Sequence, residues 1–249
     1  MRADEIDYEI FGDDMQGVSV RLDPGERMRA EPGAMMWMEE GIGMETSTGG
    51  GFLKGLKRKI GGESFFITTF QNHGGQPATV GFSAEYPGKI IPVDLAEVGE
   101  VMCQRDAYLC SAYGVEVSVA FTKRFGAGLF GGEGFILQRL RGDGLTFMHA
   151  GGHVLERRLG PGETLRVDTG CVVGFEASVD YDIQMAKGVK TMLFGGEGLF
   201  LALLTGPGRV WIQTTPFSRL ADRVMSASRG SKGEHRRFGD VIGGFLGGD

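Results

Sequence analysis

Two histidines four residues apart are the most metal-like pair in the sequence. His149 and His153 share the i, i+4 spacing of helical zinc motifs. The residues between them, Ala150-Gly151-Gly152, favour a turn instead of a helix, and no third candidate ligand lies nearby in the sequence. We therefore interpret the pair as two solvated imidazoles at the tip of a hairpin, and we expect no metal.

Three glutamates each follow a pair of glycines and precede an apolar run. Glu63, Glu133 and Glu197 are 70 and 64 residues apart. If they converged on a common axis, they could hold a cation or raise one another's pKa. If they stay apart, each carboxylate accepts hydrogen bonds from the backbone of its own glycine turn. Because glycines accompany the acid each time, we interpret these glutamates as structural turn residues.

A glycine-rich string over 126–131 matches the pattern G-x-G-x-x-G. A dinucleotide site needs a helix directly after that pattern, because the helix N-terminus binds the pyrophosphate, whereas here an apolar strand follows. Cys103 and Cys110 lie in an apolar strand region, which favours buried free thiols. We predict no catalytic residue, no cofactor and no enzyme activity. A hydrolase or metal enzyme built on the glutamates and histidines is the alternative.

Three segments combine basic and apolar residues, and we call them the basic-apolar segments: 49–62, 121–132 and 186–196. Together they hold eight positive charges and no acidic residue, so the rest of the chain carries a net charge of −14. A loop that packs its apolar residues and solvates its lysines explains any one of them, but that explanation must then apply three times. We predict a surface that binds a membrane or a protein partner, formed by Phe52, Leu53, Lys54, Leu56, Lys57, Arg58, Lys59, Lys123, Arg124, Phe125, Leu129, Phe130, Lys187, Lys190, Leu193 and Phe194.

The composition indicates a globular protein with many tight turns. Of 249 residues, 44 are glycine, eight are proline and 23% are charged. The net charge of −6 disfavours a general nucleic-acid binder, which needs a basic surface. The acidic start, the odd number of cysteines and the lack of an apolar run of about 20 residues favour the cytoplasm. A peripheral position on the inner face of the membrane is a further expectation.

Two landmarks recur together along the chain. The first is Gly-Gly-Glu before an apolar run, at 61–63, 131–133 and 195–197. The second is a Gly-Glu turn that ends at Glu26, Glu100 and Glu163. Alternating apolar residues, as over 115–121, predict short strands between the landmarks. We predict one all-β domain over 1–220 and a partly helical, flexible tail over 221–249, with three units in the domain at about 6–77, 78–144 and 145–216.

The repeated Gly-Gly-Glu strands, the Pro-Gly-Glu turns and the run Glu31-Pro32-Gly33-Ala34-Met35 carry a family resemblance. Over about residues 5–220 they resemble a bacterial family related to the altered-inheritance-of-mitochondria biogenesis proteins. The resemblance implies three tandem repeats with pseudo-threefold symmetry, each like a subunit of the trp RNA-binding attenuation protein (TRAP), a double-stranded β-helix type of fold. It implies no enzyme activity and, in eukaryotic relatives, a connection to mitochondrial membrane organisation.

These features together predict a binding protein. We expect a non-enzymatic scaffold or adaptor that presents the basic-apolar segments on one face to an anionic membrane surface or a protein partner. The alternative is a small-molecule or RNA-binding module that uses clefts between TRAP-like repeats, although the acidic charge disfavours RNA. Assembly into a homo-oligomer is compatible with either function.

Overall fold

The computed structural model describes residues 2–47, 67–123, 135–185 and 200–227. Within these ranges the chain is predominantly β-sheet. Its strands are β1 (Asp7–Phe11), β2 (Gly17–Leu22), β3 (Arg27–Ala30), β4 (Met35–Met38), β5 (Ile42–Ser47), β6 (Ile67–Asn72), β7 (Ala78–Ser83), β8 (Gly88–Asp94), β9 (Val101–Gln104), β10 (Tyr108–Ala112), β11 (Glu116–Lys123), β12 (Phe135–Arg141), β13 (Leu145–Gly151), β14 (Val154–Leu159), β15 (Thr164–Asp168), β16 (Val172–Glu176), β17 (Asp180–Met185), β18 (Phe200–Thr205) and β19 (Gly208–Gln213).

Helical structure is confined to short pieces in the described ranges. Helix α1 (Leu95–Val98) follows β8, and helix α2 (217–227) follows β19. Two 3-10 turns, Arg105–Ala107 and Thr169–Cys171, follow β9 and β15. No helix in these parts of the chain is long and apolar enough to cross a membrane. The expected helical piece of the tail is confirmed, and it extends to residue 227.

The strands form four sheets in which all the pairs between described strands are antiparallel. The orders are β1-β2-β7-β4 in sheet A, β5-β6-β3-β10-β13-β8 in sheet B, β11-β12-β9-β16-β19-β14 in sheet C and β15-β18-β17 in sheet D. Adding six to every strand number of sheet B gives the strand order of sheet C. The pairing pattern therefore recurs at a step of six strands.

Six of the described strands insert between two strands that precede them in the chain, and three of the six are β7, β13 and β19. Strand β7 lies between β2 and β4, β13 between β8 and β10, and β19 between β14 and β16. Because these pairings join distant parts of the sequence, they bring several turns to the same place. The turn after β7, the segment before β4 and the 3-10 turn after β9 thereby meet beside the end of β13.

Strands such as β2 and β6 follow the alternation that a sheet with one buried face requires, whereas β9, β10 and β13 are buried on both faces. In β2, Val18, Val20 and Leu22 are fully buried, whereas Arg21 is exposed. Each such aliphatic side chain contributes about 1.5–3 kcal/mol by leaving water. The alternating residues over 115–121 form β11, which begins one residue later than the pattern predicted. The all-β prediction is confirmed.

The two tryptophans lie in different sheets and different surroundings. Trp211 of β19 is only 2% exposed, whereas Trp37 of β4 is 37% exposed at the edge of sheet A. The Trp37 ring covers Gly81 of the neighbouring strand so closely that a Cβ there would lie 2.4 Å from it. A larger residue at position 81 would therefore displace the indole.

Two of the recurring Gly-Glu turns share one hydrogen-bond pattern. The Glu26 carboxylate accepts a hydrogen bond from the Asp23 N–H at 2.8 Å, and the Glu163 carboxylate accepts one from the Gly160 N–H at 2.9 Å. The glycine before each glutamate has a positive φ, 92° and 73° respectively, which favours glycine. This is the arrangement that we predicted for Glu63, Glu133 and Glu197, which lie outside the described residues.

Candidate ligand cleft

The basic-apolar segments lie outside the described residues, apart from the end of β11 at 121–123, as does the glycine-rich string over 126–131. The strands that each segment joins are described. They pair antiparallel as β5 with β6, β11 with β12 and β17 with β18. Each segment therefore joins the two strands of one antiparallel pair, and successive pairs are six strands apart in the chain.

The interpretation of the histidine pair is wrong for His149. Its side chain is 2% exposed, because β13 continues to Gly151 before the chain turns. His153 follows the turn and is exposed, as expected. The two imidazoles therefore lie in different surroundings. Within the described residues, no three histidine, cysteine, aspartate or glutamate side chains are grouped closely enough to hold a metal ion.

His149 lines a cleft of about 260 Å³. Five further parts of the chain form its walls: the segment before β4, the β7–β8 turn, the 3-10 turn after β9, the beginning of β10 and the beginning of α2. They contribute the side chains of Glu31, Glu85, Tyr86, Arg105, Asp106 and Phe217. The cleft is thus built from positions spread over most of the described chain.

One wall of the cleft is aromatic. The Tyr86 ring meets the His149 ring edge-on, with centroids 4.6 Å apart and planes at 85°. On its other side Tyr86 lies 5.3 Å from the Phe217 ring, which is 50% exposed. The Tyr86 hydroxyl donates a hydrogen bond to the backbone oxygen of Asp106 at 3.2 Å. This hydrogen bond fixes the tyrosine ring across the imidazole.

The lining of the cleft is also acidic. Three carboxylates, Glu31, Glu85 and Asp106, accompany a single guanidinium, that of Arg105. The Arg105 Nε lies 3.1 Å from an Asp106 carboxylate oxygen. Loss of hydration raises the pKa of Glu31 to about 7, and the charges of Asp106 and Glu85 act in the same direction, whereas Arg105 opposes them. Glu31 as a residue remains exposed at the mouth of the cleft.

His149 and Gln213 occupy matching places in sheets B and C. His149 of β13 lies opposite Ile90 of β8, and Gln213 of β19 lies opposite Val154 of β14. Adding six to the strand numbers of the first pair, β8 and β13, gives the second pair, β14 and β19. The side chains of His149 and Gln213 are both buried. The two positions can therefore be compared group by group.

Gln213 is hydrogen-bonded at both ends of its amide. Its Oε1 accepts from the Gly151 N–H at 2.7 Å, and its Nε2 donates to the Gly170 carbonyl at 2.9 Å. Gly151 lies three residues before the strand partner of Gln213. Pro87 lies at the corresponding distance before the strand partner of His149. Because proline has no N–H, the first of the two bonds has no counterpart at His149.

The carbonyl that corresponds to the second hydrogen-bond partner of Gln213 is occupied by another side chain. Gly170 is the middle residue of the 3-10 turn after β15, and Asp106 is the middle residue of the turn after β9. The Asp106 carbonyl accepts its hydrogen bond from Tyr86 instead of from His149. The His149 Nδ1 is accordingly buried without a hydrogen-bond partner. Burial lowers the pKa of His149 to about 4, so a neutral imidazole faces the cleft at physiological pH.

A second cleft, of about 530 Å³, lies between β8 and β14. Its principal polar side chains already have partners. The Trp211 indole N–H donates to Glu156 at 3.0 Å, Arg209 pairs with Glu176 at 2.6 Å, and Lys89 lies within ion-pair distance of Asp14. The smaller cleft, with an unpartnered imidazole, is therefore the better candidate for a ligand site.

Sequence patterns did not reveal this cleft. Its residues extend from Glu31 to Phe217 and come from six separate parts of the chain, so no local spacing connects them. Glu31 stood out only as part of the family run at 31–35. One sequence feature could have indicated the cleft: at the strand position where β19 has Gln213, β13 has a histidine, His149.

Comparisons with known proteins agree with the fold. The sequence profile of the family described as Mitochondrial biogenesis AIM24 matches residues 8–215. An uncharacterised protein of Streptococcus pyogenes serotype M6 is 25% identical over 212 residues, which cover 82% of this chain and 83% of that protein. The crystal structure of a Streptococcus pyogenes protein superposes with a TM-score of 0.72 at 22% identity, covering 90% of this chain and 100% of that one. The chain belongs to the Mitochondrial biogenesis AIM24 family.

Proposed function

We propose that this protein is a non-enzymatic scaffold or adaptor that presents its three basic-apolar segments on one face to an anionic membrane surface or a protein partner. The observation that carries the proposal is the position of the segments. Each joins the two strands of an antiparallel pair, and the three pairs are six strands apart in the chain. Matching positions in the pairing pattern favour a shared surface.

The finer architecture that belongs to this proposal is three TRAP-like units about a pseudo-threefold axis. The recurrence of the sheet B order in sheet C supports it. So do the starts of β7 at Ala78 and β13 at Leu145, where the second and third units are predicted to begin. Rotation about such an axis places matching hairpin ends on one side.

The segregation of positive charge in the three segments supports binding to a partner whose surface is negatively charged. The segments carry eight positive charges and the remainder of the chain carries −14, so an anionic surface attracts one face and repels the rest. Each basic residue contributes about 1 kcal/mol at most near an anionic bilayer, so one segment binds weakly. Three segments on one frame bind together, because the second and third contacts are intramolecular. Insertion of Phe52, Phe130 and Phe194 adds apolar contact.

Liposome flotation tests the proposal with two variants of equal charge. In the first, Lys54, Lys57, Arg58 and Lys59 of the first segment are changed to Ser. In the second, four exposed arginines outside the segments, Arg21, Arg141, Arg158 and Arg166, are changed to Ser. Both remove four positive charges, so they differ only in where the charges were. We expect the wild type and the second variant to float with anionic vesicles at low salt, and the first variant to float much less.

A variant with all eight basic residues of the segments changed to Ser, adding Lys123, Arg124, Lys187 and Lys190, extends the test. It should not float at all, and neutral vesicles should recover none of the proteins. Equal flotation of the two four-residue variants, or no flotation of the wild type at low salt, excludes binding to an anionic membrane through the basic-apolar segments. A pull-down comparing the wild type with the eight-residue variant then tests the protein partner.

A small-molecule site is the second candidate, and the cleft at His149 favours it. The cleft provides an aromatic wall, a carboxylate-rich wall and a buried nitrogen without a partner. The same carboxylates disfavour RNA, whose phosphates they repel. Binding in the cleft is compatible with a scaffold function, because the cleft residues are separate from the basic-apolar segments.

A further inference from the structure

We propose that the cleft lined by His149, Tyr86 and Glu31 binds the alkylammonium group of a small organic cation. The inference goes beyond the scaffold function, because it concerns different residues and a different kind of ligand. It rests on the charge of the walls, the unpartnered imidazole, the aromatic rings and the size of the cleft.

The sign of the ligand charge follows from the walls. Glu31, Glu85 and Asp106 outnumber the single cation, Arg105, which is already 3.1 Å from Asp106. An anionic ligand would face uncompensated carboxylates, whereas a cation offsets their mutual repulsion. Glu31 and Glu85 are both exposed at the cleft mouth, where they can meet a ligand. A positive ligand therefore complements the site.

The hydrogen-bonding character of the ligand follows from His149. Leaving a buried polar atom without a hydrogen-bond partner is unfavourable, and the matching side chain, Gln213, satisfies both ends of its amide within the protein. The imidazole of His149 is neutral, so its ring can accept a hydrogen bond from an N–H donor. An ammonium group has three such donors, enough to serve the imidazole and a carboxylate together.

The aromatic wall and the volume of the cleft restrict the chemical class of the ligand further. Tyr86 and Phe217 lie side by side along the cleft, and aromatic faces attract ammonium groups while accommodating an alkyl chain. A cleft of about 260 Å³ is at the small end of ligand sites. A metal ion fits less well, because no three potential ligands are grouped within the described parts of the chain. An alkylamine is the simplest molecule that meets these conditions.

Binding is measured with four probes of similar length on the full chain. Pentylamine and 1,5-diaminopentane carry the ammonium group, 1-pentanol is neutral, and pentanoate is anionic. Isothermal titration calorimetry and the ring resonances of His149 report affinity and location. We expect saturable binding of the two amines, with a shift of the His149 signals, and at least tenfold weaker binding of the alcohol and the carboxylate.

Variants identify the site. Glu31→Gln with Glu85→Gln should weaken amine binding at least tenfold, and His149→Leu should weaken it about fivefold or more. Glu9→Gln removes an exposed carboxylate of β1, distant in sequence from the cleft residues, and should bind as the wild type does. Circular dichroism verifies that each variant is folded. Absence of saturable amine binding, or equal binding by the Glu31 and Glu85 variant, overturns the proposal.

The source of the ammonium group is distinguished by a fifth probe. Nα-acetyl-lysine N-methylamide presents the same group as the side chain of a partner protein. If it binds at least as tightly as pentylamine, the natural ligand is a lysine side chain; if it binds tenfold more weakly, the ligand is a free amine. Either outcome supports an alkylammonium site, and failure of all the amines refutes it. Flotation of the same variants is expected to be unchanged, so this test fails independently of the scaffold proposal.

Discussion

Substitution by leucine at the two matching positions, 149 and 213, should change the stability by very different amounts. Leucine is close in volume to both histidine and glutamine, so His149→Leu and Gln213→Leu remove polar atoms without opening a large cavity. In Gln213→Leu, the buried Gly151 N–H and Gly170 carbonyl lose their partners. In His149→Leu, the Nδ1 that is lost has no partner.

The magnitudes follow from these contacts. Each buried backbone group left without a partner costs about 1–3 kcal/mol, so the two groups together should cost Gln213→Leu about 2–6 kcal/mol. Removing an unsatisfied buried nitrogen gains about 1 kcal/mol, and losing the edge-on contact with Tyr86 costs about as much. His149→Leu should therefore stay within about 1 kcal/mol of the wild type. At about 2–4 °C per kcal/mol for a chain of this size, Gln213→Leu should lower the melting temperature by about 4–24 °C.

Urea unfolding, followed by circular dichroism, measures both free energies of unfolding. The slope against urea should be the same for all three proteins, because each then exposes the same surface on unfolding. Equal losses of stability at positions 149 and 213 would refute the reasoning. They would mean that His149 is hydrogen-bonded as fully as Gln213, and the argument for a ligand at that imidazole would be lost.

Three further predictions concern stability and reactivity. Burial lowers the pKa of His149 from 6.5 to about 4, so the unfolded chain binds a proton at a higher pH than the folded chain does. The free energy of unfolding should therefore decrease as the pH falls from about 6.5 to 4. His149→Leu should reduce this decrease in urea titrations at each pH. Asn72→Ala removes three hydrogen bonds of the Asn72 amide to nearby backbone groups and should cost about 2–4 kcal/mol, which the same titrations measure; a loss below about 1 kcal/mol would contradict it. A thiol reagent should label half-buried Cys171 in the native protein well before buried Cys103 and Cys110, and mass spectrometry of the labelled peptides would show any other order.

The fold class could be predicted from the sequence because strands leave a local record. Alternating apolar residues over 115–121 predicted a strand that the structure has as β11, and glycine-rich turns separated the strands. The placement of Cys103 and Cys110 in the core is confirmed for the same reason, since both belong to apolar strands. The family resemblance is confirmed by the profile match over 8–215. The three-unit arrangement stays a prediction.

The candidate cleft could not be predicted, because its geometry depends on pairings between distant strands. Glu31 is adjacent to Leu109, whose carbonyl accepts its backbone N–H at 2.9 Å, although the two are far apart in sequence. The error at His149 has a related cause. The Gly-Gly pair correctly indicated a turn, but the strand before it continues to Gly151, and a residue two positions earlier is consequently buried.

The unequal surroundings of the two tryptophans give the protein an internal optical reporter. An indole in water emits at longer wavelength than one in an apolar interior, so Trp37 and Trp211 should contribute different bands to the intrinsic fluorescence. One reports the outer strand of sheet A and the other the interior of sheet C. If the sheets unfold as one cooperative unit, the two bands change together; if sheet A opens first, the indole already near solvent responds alone. The chain thus carries its own test of cooperativity, without a label or a substitution.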